Sequence, residues 1–395
     1  MGKSPVTYPV VIQGGMGAGV SGWLLANAVS KLGQLGVVSG TALDLILSRR
    51  LQLGDPGGHM RRALNNFPIP EMAQRVTEKY FIPGGKKSTD AFKGIQMFSM
   101  NPSVALQELN VVANFVEVFL AKEGHNGKVG INYLEKIQLP NLPSIYGAML
   151  AGVDYVLMGA GIPREIPGIL DKLANHKNVS MMINVSGATR DDNFKVTFYP
   201  EKIFGKVLDS LKRPRFLAII ASSVLAVTLA RKSTGKVDGF IIEGPTAGGH
   251  NASPRGELKL NKKGEPIYGA KDEVDLSKIK GLGLPFWLAG SFGTSEKFKE
   301  ALELGAAGVQ VGTAFAFCKE SGLSEDIKES IIKKVLNNEA EVYTDPKASP
   351  TGFPFKIVKL EGSNSEKEVY EARQRGCDLG YLRQVYKKED GSLGY

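Results

Sequence analysis

The sequence of 395 residues contains little cysteine and histidine. Its two cysteines, Cys318 and Cys377, give neither a disulfide framework nor a pair of metal ligands, so we expect a reducing, cytoplasmic setting. The four histidines lack the spacing of zinc ligands, and no metal site is predicted. The motifs of serine hydrolases and P-loop nucleotide binders are also missing, which excludes those function classes.

Long hydrophobic runs are absent as well. The longest candidate, residues 216–230, is shorter than the roughly 18–20 apolar residues of a membrane span, and residues 1–13 do not resemble a signal peptide. The formal net charge of +9 comes without a nucleic-acid-binding motif. We therefore predict neither a membrane nor a nucleic-acid partner, whereas a basic surface would suit an acidic carrier protein or a phosphorylated cofactor.

The sequence does contain short apolar runs that alternate with helix-like segments. The runs are almost continuously apolar, as in parallel strands that are covered on both faces. This alternation predicts an α/β fold with a parallel sheet. The nine runs are residues 9–12, 35–38, 128–133, 155–158, 180–185, 215–221, 239–243, 285–289 and 308–311.

A closed barrel needs eight strands, so one of these runs must lie elsewhere. Residues 180–185 are followed by a polar turn and by another strand-like run, residues 194–199. The span 180–200 is therefore predicted to form a hairpin outside the barrel. The remaining eight runs predict a TIM (β/α)8 barrel.

Two segments extend this barrel. The gap between the second and third runs is far longer than an ordinary connection, and it contains helix-like segments at residues 43–53 and 101–122. We predict that residues 40–126 form a helical insertion that covers the barrel mouth. The barrel would span residues 1–320, and residues 321–395 would add a helix and an irregular extension that pack on it.

The loop after the first run is rich in glycine. Active sites of such barrels lie at the carboxyl ends of the strands, and this run ends in Gln13-Gly14-Gly15-Met16-Gly17-Ala18-Gly19. Glycines allow backbone amides to approach a flat or anionic ligand, although a tight turn into the next helix is an equal alternative. The segment does not match the GxGxxG dinucleotide fingerprint with its following strand and acidic residue.

The run at residues 239–243 leads to the best candidate for catalysis. It continues as Glu243-Gly244-Pro245-Thr246-Ala247-Gly248-Gly249-His250. An imidazole at the carboxyl end of a strand, with a pKa near neutrality, can act as a general acid or base. The alternative is a solvated loop histidine. The flanking glycines predict little packing around His250 and no role in folding.

The last two runs end in a pair of similar loops. They read Gly290-Ser291-Phe292-Gly293 and Gln310-Val311-Gly312-Thr313. The loops after the last two strands of such barrels often bind phosphate through backbone N–H groups, to which glycines and hydroxyl groups are suited. Plain turns are the alternative.

These motifs, in this order, resemble the nitronate monooxygenase (2-nitropropane dioxygenase-like) family, which is related to the FMN-dependent enoyl-acyl-carrier-protein reductases. The resemblance runs from Pro9 to about Gly352. Its pieces are residues 9–16, 129–134, 243–251, 285–293, 307–313, 319–321 and 348–352.

The resemblance implies an FMN cofactor and His250 as the catalytic residue. At Ser291 the family usually has a glycine, a difference that a backbone contact tolerates. The residues implied for FMN binding are Gly15, Met16, Asn132, Glu243, Gly248, Gly249, Gly290, Ser291, Gly293, Gln310, Gly312 and Thr313.

The reaction remains open between several interpretations. The first is oxidation of a nitronate, nitroalkane or related small acidic substrate with O2. The second is NAD(P)H-dependent reduction of an enoyl thioester on an acyl carrier protein, which the net positive charge would suit. A phosphate-binding barrel without flavin and an assembly subunit that docks a carrier are further alternatives. A homodimer is compatible with each of them.

Overall fold

The computed structural model describes residues 8–205, 209–349, 352–374 and 380–395. Residues 1–7, Cys377 and the Pro350-Thr351 part of the family resemblance lie outside the described residues. The strands, in chain order, are β1 (Val11–Gln13), β2 (Gly36–Ser39), β3 (Val129–Leu134), β4 (Tyr155–Gly159), β5 (Val179–Met182), β6 (Val185–Ser186), β7 (Lys195–Phe198), β8 (Arg215–Ile220), β9 (Gly239–Glu243), β10 (Phe286–Ala289), β11 (Gly308–Val311), β12 (Val342–Asp345), β13 (Phe355–Val358), β14 (Val385–Lys387) and β15 (Leu393–Gly394).

Helices separate most of these strands. Short 3₁₀ turns lie at Pro56–Gly58 and Ala270–Asp272. The helices, in chain order, are α1 (Gly17–Val20), α2 (Trp23–Lys31), α3 (Leu43–Gln52), α4 (His59–Leu64), α5 (Pro70–Tyr80), α6 (Val104–Lys122), α7 (Asn141–Leu150), α8 (Ile166–Leu173), α9 (Pro200–Phe204), α10 (Ser223–Lys232), α11 (Leu276–Lys280), α12 (Ser295–Glu303), α13 (Thr313–Ala316), α14 (Glu325–Leu336) and α15 (Lys367–Ala372).

Eight parallel strands form a barrel in the order β1-β11-β10-β9-β8-β4-β3-β2. The edges β1 and β2 also meet, because the Gln13 N–H donates to Leu35 O at 2.9 Å and the Leu35 N–H donates to Val11 O at 3.1 Å. The predicted TIM barrel is therefore confirmed. β10 and β11 are its last two strands, so the two predicted phosphate-type loops lie in the places where such loops are common.

Side chains along the barrel strands alternate between the interior and the helical layer. Trp287 is fully buried inside, and its Nε1–H donates to Pro9 O at 2.8 Å, so its polar group is satisfied. Because both faces of the strands are buried, the strands appear in the sequence as continuous apolar runs. The interior cluster consists of Ile12, Leu35, Val37, Tyr155, Leu157, Leu217, Ile241, Trp287 and Ala289.

The predicted hairpin outside the barrel is also present. β5 and β7 form a two-stranded antiparallel sheet of their own, with Val179 opposite Phe198. The short strand β6 between them pairs in parallel with β14, with Val185 opposite Val385. The hairpin thereby connects the barrel to the C-terminal part of the chain.

The long connection between β2 and β3 holds four helices, α3 to α6. The last of them, α6, packs against α2 and α7, which is the position of an ordinary outer helix between neighbouring barrel strands. The insertion is therefore shorter than residues 40–126: it comprises α3, α4 and α5 and the irregular backbone up to α6. By length and composition α6 could span a membrane, but 78% of its most apolar window is buried inside the protein, so packing accounts for its apolar character.

The C-terminal part of the chain returns to the carboxyl end of the barrel. β12 and β13 pair antiparallel, and the backbone of Phe355 in β13 forms a bridge with His250. The Tyr381 hydroxyl donates to Gly40 O, just after β2, at 3.3 Å. This extension has more regular structure than the sequence predicted, because the dense prolines and glycines fall between two strands.

Candidate functional site

Two polar side chains point into the barrel mouth from β9 and β3. Glu243 lies two residues after the interior Ile241, and Asn132 lies two residues after Gly130, which packs among interior side chains. Residues at this spacing share one face of a strand. Both side chains therefore project toward the barrel axis at its carboxyl end, as an active site of this fold requires.

Gln310 projects into the same mouth from β11. Its neighbour Val309 belongs to the outer core, so Gln310 faces inward, where its Cδ would be 3.4 Å from a Cβ atom built on Gly14. The Oε1 atom of Gln310 is buried and accepts no hydrogen bond from any described residue. A buried acceptor without a donor is costly, so this atom is suited to a hydrogen bond from a ligand.

The glycine-rich loop after β1 is held in place by Ser21. The Met16 N–H donates to Ser21 Oγ at 3.0 Å, and the Ser21 hydroxyl donates to a carbonyl of the loop at 3.2 Å. Gly15 packs directly against the side chain of Asn132, and the Met16 side chain lies beside Gly312. The loop therefore joins β1 to both β3 and β11 at the mouth.

Glycine backbone from the loops after β9 and β11 borders open space. A Cβ atom on Gly248 would lie 3.7 Å from the Thr313 hydroxyl oxygen, and one on Gly312 would lie 3.8 Å from the Met16 sulfur. Gly249 has a φ of +75°, and a Cβ atom there would meet no described atom within 4 Å. A ligand can therefore approach this backbone closely.

The turn after β10 has left-handed backbone at two successive residues. Gly290 has a φ of +95° and Ser291 a φ of +59°. A Cβ atom on Gly290 would lie 2.8 Å from the backbone nitrogen of Ala247, so the loops after β9 and β10 are in contact. A side chain is disfavoured at positive φ, which gives a physical reason for the family's usual glycine at Ser291. Gly293, in the same loop, lies beside Val311.

His250 is held by the C-terminal part of the chain. Its ring packs edge-on against Phe355, with centroids 4.8 Å apart, and its Nε2 lies 2.9 Å from Ser349 Oγ. The Asn251 side-chain amide donates to Ala247 O at 2.8 Å and closes the glycine turn before the histidine. The expectation that His250 has little packing is therefore wrong, because its partners come from residues that are distant in the sequence.

The surroundings of His250 favour its neutral form. Burial and the positive charge of Lys136 lower the pKa of His250 to about 4. Lys136 follows β3, and its ammonium nitrogen lies 4.5 Å from the centroid of the Phe353 ring. At pH 7 the imidazole is neutral, so one ring nitrogen is available to accept a proton.

Glu243 is a carboxyl group with an unusual protonation state. Burial raises the pKa of Glu243 to about 7, and its side chain borders a pocket that Arg255 and Tyr268 also line. Near neutral pH the carboxyl group is therefore present in both forms and can donate as well as accept a hydrogen bond. This property suits contact with a polyhydroxyl ligand.

The structure thus brings all of the predicted site residues to one end of the barrel. The sequence did not identify Lys136, Ser349 or the side-chain amide of Asn251 as parts of the site. Lys136 lies two residues after β3, so the rule that sites lie at strand ends could have identified it. Ser349 is 99 positions from His250 in the sequence, and apart from the family resemblance no sequence pattern indicated that the two residues meet.

Comparison with known proteins supports this resemblance. Residues 201–347 match the family model described as nitronate monooxygenase, which confirms the predicted resemblance over the His250 loop and both phosphate-type loops. A segment of 120 residues is 35% identical to the nitronate monooxygenase of Pseudomonas aeruginosa, covering 30% of this chain and 32% of that protein. A segment of 127 residues is 27% identical to a probable nitronate monooxygenase of Staphylococcus haemolyticus, covering 32% and 34%.

These matches span about a third of the length of the curated relatives. Among solved structures, FabK from Thermotoga maritima aligns over 90% of this chain and 72% of its own, with a TM-score of 0.47 and 18% identity.

Proposed function

We propose that the protein is an FMN-dependent oxidoreductase that oxidises a small nitronate or nitroalkane with O2, because residues 201–347 match the nitronate monooxygenase family model. The observation that carries this proposal is the meeting of His250, open glycine backbone and two phosphate-type loops at one end of the barrel. All three features lie within the stretch that matches the family.

The residues at the mouth suit FMN. Residues 290–293 and 312–313 offer backbone N–H groups to one phosphate, and the chain has no dinucleotide fingerprint that would favour FAD. The open backbone at Gly248 and Gly249 leaves room for a flat ring. The Gln310 Oε1, which accepts no hydrogen bond from a described residue, would receive one from the ligand. When bound, the flavin supplies the electron transfer between substrate and O2.

The remaining mouth residues would orient the cofactor. Asn132 points inward and offers both a donor and an acceptor to the polar edge of the ring. Glu243, with its raised pKa, would contact the ribityl hydroxyl groups. Gly15 and Met16 would line the ring from β1, where Ser21 holds their loop in position. Each of these contacts fixes orientation and none of them requires a metal.

His250 is the proposed proton acceptor. With a nitroalkane, the Cα–H bond breaks, the proton moves to an imidazole nitrogen, and the electron pair remains on the nitronate. The lowered pKa keeps the imidazole unprotonated at pH 7 but also makes it a weaker base, and Ser349 and Phe355 fix its orientation. A positioned general base is worth about 10²–10⁴-fold in rate. A substrate that is already a nitronate needs no such step, and His250 then only positions it.

The insertion and the C-terminal extension are proposed to set substrate choice. Together with the loop after β3, they line a cavity beside the carboxyl ends of β2 and β3, which none of the proposed flavin-binding residues lines. Its lining comes from residues 95–98, residues 137–140 and Tyr381, among others. Covering the mouth would exclude water from the reacting groups. Replacing Met97 with alanine should therefore change the preference among nitroalkanes of different chain length and leave flavin content unchanged.

One experiment tests the proposed function. The purified protein is heated to release its cofactor, which is identified by chromatography, and the intact protein is mixed under argon with propane-2-nitronate, NADH or NADPH. We expect FMN, bleaching of the flavin by the nitronate, and recovery of the yellow colour when O2 is admitted. Bleaching by a nicotinamide and not by the nitronate would identify an enoyl thioester reductase instead, and absence of flavin after reconstitution would remove both functions.

A further inference from the structure

Tyr381 connects the C-terminal part of the chain to the end of β2. Its hydroxyl donates to Gly40 O at 3.3 Å, and the Gly40 N–H donates to Asn132 O at 2.8 Å. Burial raises the pKa of the Tyr381 hydroxyl, so the group keeps its proton at neutral pH and remains a donor. Asn132 is the residue of β3 that projects into the mouth. Two hydrogen bonds through one residue therefore join Tyr381 to the candidate cofactor site.

Gly40, the residue between them, is closely packed. A Cβ atom there would overlap the ring of Tyr133 and would lie 3.0 Å from Asn132 O. The Tyr133 ring is itself fixed, because its hydroxyl oxygen lies 2.9 Å from both Asn114 Oδ1 and Ser144 O. Gly40 therefore fits tightly against β3, and a displacement of Gly40 would displace Asn132 as well.

The turn that follows Gly40 contains a residue in an unfavourable conformation. Ala42 has a φ of +54°, in the left-handed region where a side chain is disfavoured. Backbone of this kind persists only where the surrounding structure holds it in place. The hydrogen bond from Tyr381 reaches this turn two residues before Ala42, from a distant part of the chain. It is therefore one of the contacts that keep the turn in its observed shape.

The segment that carries Tyr381 is anchored to the irregular backbone before α6. The Arg383 guanidinium donates to Phe98 O at 2.9 Å, and the Tyr395 hydroxyl accepts from the Met100 N–H at 2.9 Å. The strand β14 of this segment also pairs with β6. Tyr381 therefore comes from a segment that is itself fixed to the rest of the protein, so its hydroxyl can restrain the turn after β2.

We infer that Tyr381 is a positioning residue for the cofactor: through the Gly40 backbone, its hydroxyl holds Asn132 in the orientation that contacts the flavin ring. This inference rests on the proposed function, since it assigns to Asn132 a contact with FMN. Gly15 packs against the Asn132 side chain from β1, and Gly40 binds the Asn132 carbonyl from the end of β2. Tyr381 adds a contribution to the site from outside the stretch that matches the family, residues 201–347.

A double-mutant cycle on FMN affinity tests the inference. The full chain is freed of its cofactor and titrated with FMN, and the dissociation constant is measured from flavin fluorescence. We expect Tyr381→Phe, which removes only the hydroxyl, to raise the dissociation constant about fivefold, the effect of one lost hydrogen bond. In an Asn132→Ala background the same substitution should change it by less than about twofold, because Tyr381 acts through Asn132. If Asn132→Ala does not fold, Asn132→Ser replaces it.

Tyr343→Phe is the matched control for the loss of a tyrosine hydroxyl. The Tyr343 hydroxyl also donates to a backbone carbonyl, that of Gly264 between β9 and β10, at 3.2 Å. This variant should bind FMN as the wild type does. The inference would be overturned by an equal loss of affinity in Tyr343→Phe, by no loss in Tyr381→Phe, or by the same loss from Tyr381→Phe in the wild-type and Asn132→Ala backgrounds.

A second readout requires no flavin. The side-chain amide of Asn132 gives an NMR resonance in the full chain without cofactor, and its absence from the Asn132→Ala spectrum identifies it. Tyr381→Phe should shift this resonance, whereas Tyr343→Phe should not. If Tyr381→Phe shifts the resonance but the chain binds no flavin, Tyr381 does position Asn132 and the proposed function fails. If the chain binds FMN and Tyr381→Phe changes neither the resonance nor the affinity, the positioning role alone fails.

Discussion

Gly15 lies so close to Asn132 that a Cβ atom on Gly15 would come within 2.5 Å of the Asn132 Cβ. This contact joins the loop after β1 to β3 and leaves the Asn132 side chain directed into the mouth. The absence of a side chain at Gly15 is therefore a steric requirement for the proposed flavin contact of Asn132. Gly14 is less restricted, because a Cβ atom there would be 3.4 Å from Gln310, an ordinary contact distance.

Gly15→Ala should therefore impair flavin binding much more than Gly14→Ala. Overpacking of this kind costs about 1–3 kcal/mol of stability and would displace Asn132. We expect Gly15→Ala to lose most of its bound flavin and to unfold at a lower temperature, as measured by absorbance and thermal denaturation. Gly14→Ala is the matched control and should retain both properties. Equal flavin content in the two variants would contradict the proposed role of the Gly15–Asn132 contact.

His250→Ala should slow the turnover of a nitroalkane and also lower stability. Loss of a general base reduces the rate by about 10²–10⁴-fold, and flavin absorbance should be retained. Removing the ring also removes the Ser349 hydrogen bond and the Phe355 contact, which together amount to about 1–2 kcal/mol. Urea denaturation measures the stability, and stopped-flow flavin reduction measures the rate. Unchanged flavin reduction by a nitroalkane would remove His250 from catalysis.

The sequence predicted the barrel well because both faces of its strands are buried. Continuous apolar runs such as residues 239–243 follow directly from that burial, and they locate the strand ends where glycines and His250 lie. What the sequence could not predict are contacts between distant segments. Ser349 and Phe355 approach His250 because the C-terminal extension folds back onto the barrel. The place of α6 in the outer layer of helices likewise depends on its packing against α2 and α7.

Ser291→Gly should stabilise the protein. Ser291 has a φ of +59°, a left-handed conformation that costs a residue with a side chain about 1–2 kcal/mol. Glycine removes that cost but adds freedom to the unfolded chain, so we expect a net gain of about 0.5–1 kcal/mol. Gly290→Ala, at a φ of +95° in the same turn, should have the opposite effect. Thermal denaturation of the two variants checks the prediction, and a lower melting temperature for Ser291→Gly would contradict it.

His250 and Glu243 should have opposite effects on stability as the pH changes. Folding lowers the pKa of His250 from 6.5 to about 4, so between these values the unfolded chain binds the extra proton and stability rises with pH. Folding raises the pKa of Glu243 from 4.5 to about 7, so in that window the folded chain binds the extra proton and stability falls as the pH rises. Between pH 4.5 and 6.5 the two effects largely cancel in the wild type.

Single substitutions should separate the effects of His250 and Glu243 on the pH dependence of stability. Relative to the wild type without cofactor, His250→Gln should become less stable as the pH rises from 4.5 to 6.5, because only the Glu243 effect remains. Glu243→Gln should become more stable over the same range, because only the His250 effect remains. The double variant should run parallel to the wild type. Urea denaturation at a series of pH values measures these differences, and curves for the single variants that run parallel to the wild type would mean that neither pKa is shifted by folding.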